Sequence, residues 1–255
     1  MSTSAPYTHE DGSNCWTKDC SIGNSTGSSS CSAPMQKDLV RIKKAIAVLD
    51  KRKAAIEEVE TSVAKSGKNI NSDFSLVTTL KGGFNPNTYE KPTNHKNDDL
   101  TWTKPRGGLW LATVNDEGEN SWSANSEQET PIGFSTTPLR FKDDAKIIKI
   151  NSKKEYLKVL AAFPHTPAKV NLTDSQVQVY AGRGVSSVNA DGSGKRGIDF
   201  EALSKSYDAV LVTWAGLYES GRANSTPKAM GKDVSLYSWD IESVFVLNKD
   251  AIIFE

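Results

Sequence analysis

The sequence predicts an α+β protein: a compact domain on a split, mixed or antiparallel sheet, preceded by a long helix and a polar tail. Three observations carry that prediction. Residues 1–33 are rich in Ser, Thr, Asn and Gly; residues 34–67 hold apolar side chains at three-and-four spacing; residues 70–255 interleave short β-branched runs with short helical stretches and polar loops. With 255 residues the chain can bury a core without metals or disulfides. Its 31 basic and 31 acidic side chains cancel, which argues against a protein that coats nucleic acid or anionic membrane. No apolar run approaches the roughly 18 residues of a membrane span. The first residues lack the basic and apolar regions of a secretory signal, so export by the general pathway is not expected.

The tail, 1–33, contains the linker-like stretch GNSTGSSSCS and all three cysteines, Cys15, Cys20 and Cys31. With His9 they make four possible zinc ligands, but H-x5-C-x4-C-x10-C matches no strong zinc signature. Free thiols, or a Cys15–Cys20 bridge under oxidising conditions, are the other readings; no metal is expected.

The helix, 34–67, places Leu39, Ile42, Ile46, Leu49, Ile56, Val59 and Val63 along one stripe, interrupted at Lys53. Gly67 followed by Asn69 reads as its C-terminal stop, giving a rod about 45 Å long. The stripe is either a seam for self-association or a face packed on the following domain.

In the domain, 70–255, strands are expected at Phe74–Leu80, Gly108–Val114, Ala145–Ile150, Gln176–Tyr180, Ala209–Trp214, Leu236–Trp239, Ile241–Leu247 and, as a last edge strand, Ala251–Phe254. Helices are expected at Asn151–Ala162, with Ser152 as its cap, and at Ile198–Tyr207, with Asp199 near its start. Gly182 to Gly197 reads as a glycine-rich loop.

Hydrolytic triads find little support. His95 and His165 lie in Pro/Asn-rich loops, beside no GxSxG elbow and no cysteine of the domain, and read as solvated. Neither of the glycine-rich stretches Ala181–Gly184 and Ala190–Gly197 has phosphate-loop order. Two segments have chemistry of their own. In Trp102–Thr113 (WTKPRGGLWLAT), two glycines allow close approach of a flat ligand, Lys104 and Arg106 supply charge, and Trp110 offers a stacking face. The same residues also suit a turn into a strand with a core tryptophan. In Tyr237–Leu247 (YSWDIESVFVL), Asp240 and Glu242 fall two apart and share a face if the chain is extended. Such a pair beside Trp239 can orient a sugar hydroxyl and stabilise developing positive charge. An exposed strand edge is the plainer reading.

The order K-P-x-G-G-L-W (Lys104–Trp110), AKIIKI plus a helix, DFEALSKSYDAV and WDIESVFVLNKDAI resembles a set of bacterial and phage proteins of the ADP-ribosyltransferase superfamily, the cholera- and diphtheria-toxin-like fold. The resemblance covers about 70–255. It implies an enzyme that takes NAD as substrate and transfers ADP-ribose to a macromolecule, expected to be a protein, as a toxin or phage effector acting in the cytoplasm or from a virion. Asp240-Ile-Glu242 resembles the family's [E/Q]-x-E motif, with Asp at its first position. By that likeness Glu242 is the catalytic acid that hydrogen-bonds the nicotinamide ribose, Asp240 positions the acceptor, and Gly108, Leu109, Trp110 and Thr113 contact NAD. Ala112-Thr113, or Ser135-Thr136-Thr137, stands for the family's middle motif. The first strand, Ser72–Leu80, carries no Arg or His where the family usually has one; Lys81 is the nearest cation. The rival expectation is a non-enzymatic, virion-associated or assembly protein that docks through its tail and long helix.

Overall fold

A computed structural model describes residues 33–81, 85–94, 105–123, 134–165, 197–220, 236, 239 and 241–255. It also describes two isolated antiparallel pairs, Tyr7–Thr8 with Asn14–Cys15 and Lys228–Ala229 with Lys232–Asp233. The Gln176–Tyr180 strand, most of the glycine-rich loop, His95, Lys104, Asp240 and the side chains of His9, Cys15, Cys20 and Cys31 lie outside the described residues. The chain divides into two compact units, Met1–Lys53 and Ala54–Glu255.

Helix α1, Ala33–Ser62, begins in the first unit and ends in the second. It stops short of Gly67. Val63 still bonds back to the Val59 carbonyl, and Ala64–Ser66 then forms a short strand, β1. Gly67 instead opens helix α2, Gly67–Asp73, whose N-cap is Ser66, its hydroxyl accepting from the Asn69 amide. The glycine is needed because a Cβ there would collide with the Lys142 carbonyl oxygen. The second unit accordingly begins at Ala54, inside the long helix, rather than at residue 70. The last turns of α1 belong to its core through Val59, and Val63, the residue just after the helix, is buried there too.

The second unit is α+β, on one mixed sheet of eight strands. After β1 come β2 (Ser75–Lys81), β3 (Leu109–Val114), β4 (Phe134–Phe141), β5 (Lys146–Ile150), β6 (Ala209–Val212), β7 (Ser243–Val246) and β8 (Ile252–Phe254). Their order across the sheet is β8-β4-β2-β3-β7-β6-β5-β1. Every neighbour is antiparallel except β5 and β6. Between that parallel pair the chain forms helix α3, Lys153–Ala162, and the short helix α4, Phe200–Leu203. Both start where a side-chain oxygen satisfies a free amide: Ser152 accepts from Glu155, and Asp199 accepts from Ala202.

Alternation along the strands divides the core into two layers. Ile148, Ile150, Val210, Val212 and Phe245 face a layer built from α1, α3, α4 and Trp239. Leu109, Leu111, Ala209, Leu211, Val244 and Val246 face Ile70, Leu76, Leu139 and Phe141. All four residues of β6 and all four of β7 are buried. The Ala209–Trp214 run was expected to be strand throughout. It is strand only to Val212, because Thr213 caps helix α5, Trp214–Ser220, its hydroxyl accepting from the Gly216 amide.

Candidate functional site

Four elements converge at one end of the central strands. Glu242 stands one residue before β7, a strand flanked by β3 and β6, so it is not on a sheet edge. Thr113, near the end of β3, donates its hydroxyl to Glu242 Oε1 at 2.8 Å. The amide of Trp214, first residue of α5, donates to Glu242 Oε2 at 2.9 Å. Ser121, in the turn after β3, donates its hydroxyl to the Glu242 carbonyl at 2.7 Å. The half-buried carboxylate is thus held from both sides. One of its partners is a helix N-terminal amide, where negative charge is favoured.

A second ring of contacts fixes those partners. Thr213 Oγ1 donates to Asn151 Oδ1 at 2.7 Å, tying the start of α5 to the end of β5. Gly216 allows that approach, since a Cβ there would meet the Ile150 carbonyl. On α5, the half-buried Trp214 and the exposed Tyr218 form a tilted pair, ring centroids 6.5 Å apart. This places aromatic surface on the helix that begins at the carboxylate.

Of the residues singled out in the sequence, Thr113 and Glu242 are brought together. Asp240 falls outside the described residues. Ser135, Thr136 and Thr137 lie on β4, separated from β7 by β2 and β3, so Thr113 alone of the two middle-motif candidates meets the carboxylate. Gly108 and Leu109 are taken up by packing. Leu109 is buried in the layer facing Ile70. Gly108 has φ +63°, donates its amide to the Glu90 carbonyl at 2.8 Å, and leaves room for the Phe245 ring. Trp110 is half-buried, its ring centroid 4.7 Å from those of both Trp239 and Phe245. Gly107, with φ +69° and no room for a Cβ beside the Lys91 carbonyl, and Gly108 therefore admit the protein's own backbone and phenylalanine, and need no ligand to explain them.

His165 was expected to be solvated. It is half-buried in a two-residue pairing with Gly197, and its Nε2 is buried without a partner among the described residues. Among the described residues no group of three or more His, Cys, Asp or Glu side chains could hold a metal, and no helix is long and apolar enough to cross a membrane.

The packing at Gly108 gives a testable contrast. Gly108→Ala adds a left-handed backbone cost of roughly 1–2 kcal/mol and an overpacking cost of roughly 1–3 kcal/mol against Phe245. Gly118 also has positive φ, +83°, with nothing near its missing Cβ. Gly118→Ala should therefore show the backbone cost alone in thermal melts, and Gly108→Ala clearly more.

Comparison with protein-family models, curated proteins and solved structures gives no match.

Proposed function

We propose that the chain is an NAD-dependent mono-ADP-ribosyltransferase whose reacting centre is Glu242. The observation that carries this reading is the oriented carboxylate at the start of a central strand, held by Thr113 and the Trp214 amide. A carboxylate offers about four acceptor positions. The two bonds use one on each oxygen, which leaves capacity for a ribose hydroxyl. In the transfer, the bond between the ribose anomeric carbon and nicotinamide breaks, and nicotinamide leaves with the bonding pair. The acceptor's nucleophile then bonds to that carbon and gives up its proton to water. Glu242 stabilises the positive charge that develops between those events. Asp240 is the residue proposed to position the acceptor. Thr113 and the aromatic surface of Trp214 and Tyr218 are proposed to flank NAD; the Trp110 ring is taken up by packing against Trp239 and Phe245.

The test of transfer is incubation of the purified chain with NAD and a protein extract, read as ADP-ribose mass added to protein. Asp240→Asn is expected to reduce this transfer more than it reduces hydrolysis of NAD. Equal loss of both would remove Asp240 from acceptor positioning.

A second reading, an assembly protein that docks through its long helix, is favoured by a separate observation. Leu39, Val40, Ile42, Ile46, Val48 and Leu49 of α1 are all exposed.

A further inference from the structure

Large apolar side chains left in water along one helix call for a partner. On α1, Leu39, Ile42, Ile46 and Leu49 are 48%, 55%, 52% and 63% exposed and repeat at three-four-three spacing. The stripe does not end there. Ile56 and Val63 continue it at seven-residue steps from Ile42 and Leu49, and these two pack into the core of the second unit. One half of a heptad stripe is covered, and the other half is presented to solvent. Residues 1–32 offer no spaced stripe to cover it, since Met1, Tyr7, Trp16 and Ile22 are their only large apolar side chains apart from cysteine.

We infer that residues 37–53 of α1 pair with the same segment of a second copy as a short parallel two-stranded coiled coil. Leu39 and Ile46 occupy the first core position of successive heptads, and Ile42 and Leu49 the fourth. Charge complementarity favours the self-pairing. In that register Asp38 flanks the seam five residues before Lys43, the offset at which opposite charges meet across a parallel pair. An antiparallel pair centred on the same stripe would instead bring Lys43 towards Lys43 of the second copy. Lys53 takes the next core position, where a single charged residue fixes register and limits the number of strands. The interface is two heptads long, so association is expected to be concentration-dependent. It is independent of the chemistry at Glu242.

Sedimentation equilibrium of the full chain, from micromolar to near-millimolar concentration, tests this. A monomer–dimer equilibrium is expected. Ile42→Glu with Leu49→Glu should abolish the dimer and leave the main melting transition of the second unit unchanged. Val48→Glu, exposed but off the seam, should keep it. Asp38→Lys should weaken the dimer several-fold, and adding Lys43→Asp should restore it. A chain that stays monomeric throughout, forms trimers or tetramers, loses its dimer equally with Val48→Glu, or fails to be rescued by the charge swap overturns the proposal.

Discussion

Glu242→Gln is expected to lower nicotinamide release from NAD by about two to three decades, with a melting temperature near that of the wild type. The two halves of that expectation have separate causes. Glu242 Oε2 accepts from the Trp214 amide and Oε1 accepts from the Thr113 hydroxyl. A glutamine of the same shape can keep both bonds: its carbonyl accepts from Trp214, and its amide donates to a Thr113 hydroxyl that has rotated to accept. The local fold is therefore retained. What glutamine lacks is the negative charge proposed to face the anomeric carbon as nicotinamide leaves. Losing a preorganised electrostatic contact of that kind costs on the order of 3–4 kcal/mol in the barrier. Glu255→Gln is the control, because that carboxylate is exposed and, among the described residues, pairs with the exposed Arg140 at 3.6 Å.

Trp239→Ala is the variant expected to cost most in stability. The side chain is 2% exposed, its ring is edge-on to Trp110 at 4.7 Å, and it also meets Phe200 and Phe245. Removing it empties the centre of the layer between α4, β3 and β7. Truncating a buried tryptophan to alanine costs about 3–5 kcal/mol, which for a domain of this size lowers the melting temperature by roughly 10 °C. Tyr218→Ala, on the surface of α5, should change stability by no more than about 0.5 kcal/mol. The difference between the two variants separates the aromatic residues that build the core from those available to a ligand.

Features governed by local chemistry were legible in the sequence. Ser152 and Asp199 cap α3 and α4 because each offers a short side-chain oxygen to an amide three residues on. The β-branched runs of β5, β6 and β7 announce strands buried on both faces. The features decided by distant contacts were not legible. Gly67 looks like a helix terminator, yet it is present because α2 passes against the Lys142 carbonyl, a neighbour far along the chain. Strand β4 escaped notice because Ser135, Thr136, Thr137 and Pro138 resemble a loop, and only pairing with β2 makes them a strand. The candidate site divides in the same way. Glu242 was visible from its local motif, and Thr113 from a second one 129 residues away in sequence. Nothing in either segment pointed to Ser121 or to the Trp214 amide, which reach Glu242 only through the turn after β3 and the start of α5. Thr213, as a helix cap, is the local signal that makes Trp214 a helix start rather than a strand end.

The most direct test of the central claim is the amount of free nicotinamide formed when the purified chain is incubated with NAD. Steady release by the wild type is expected, with near-complete loss in Glu242→Gln at matched melting temperature. No release by the folded wild type, or equal release by wild type and Glu242→Gln, would contradict it.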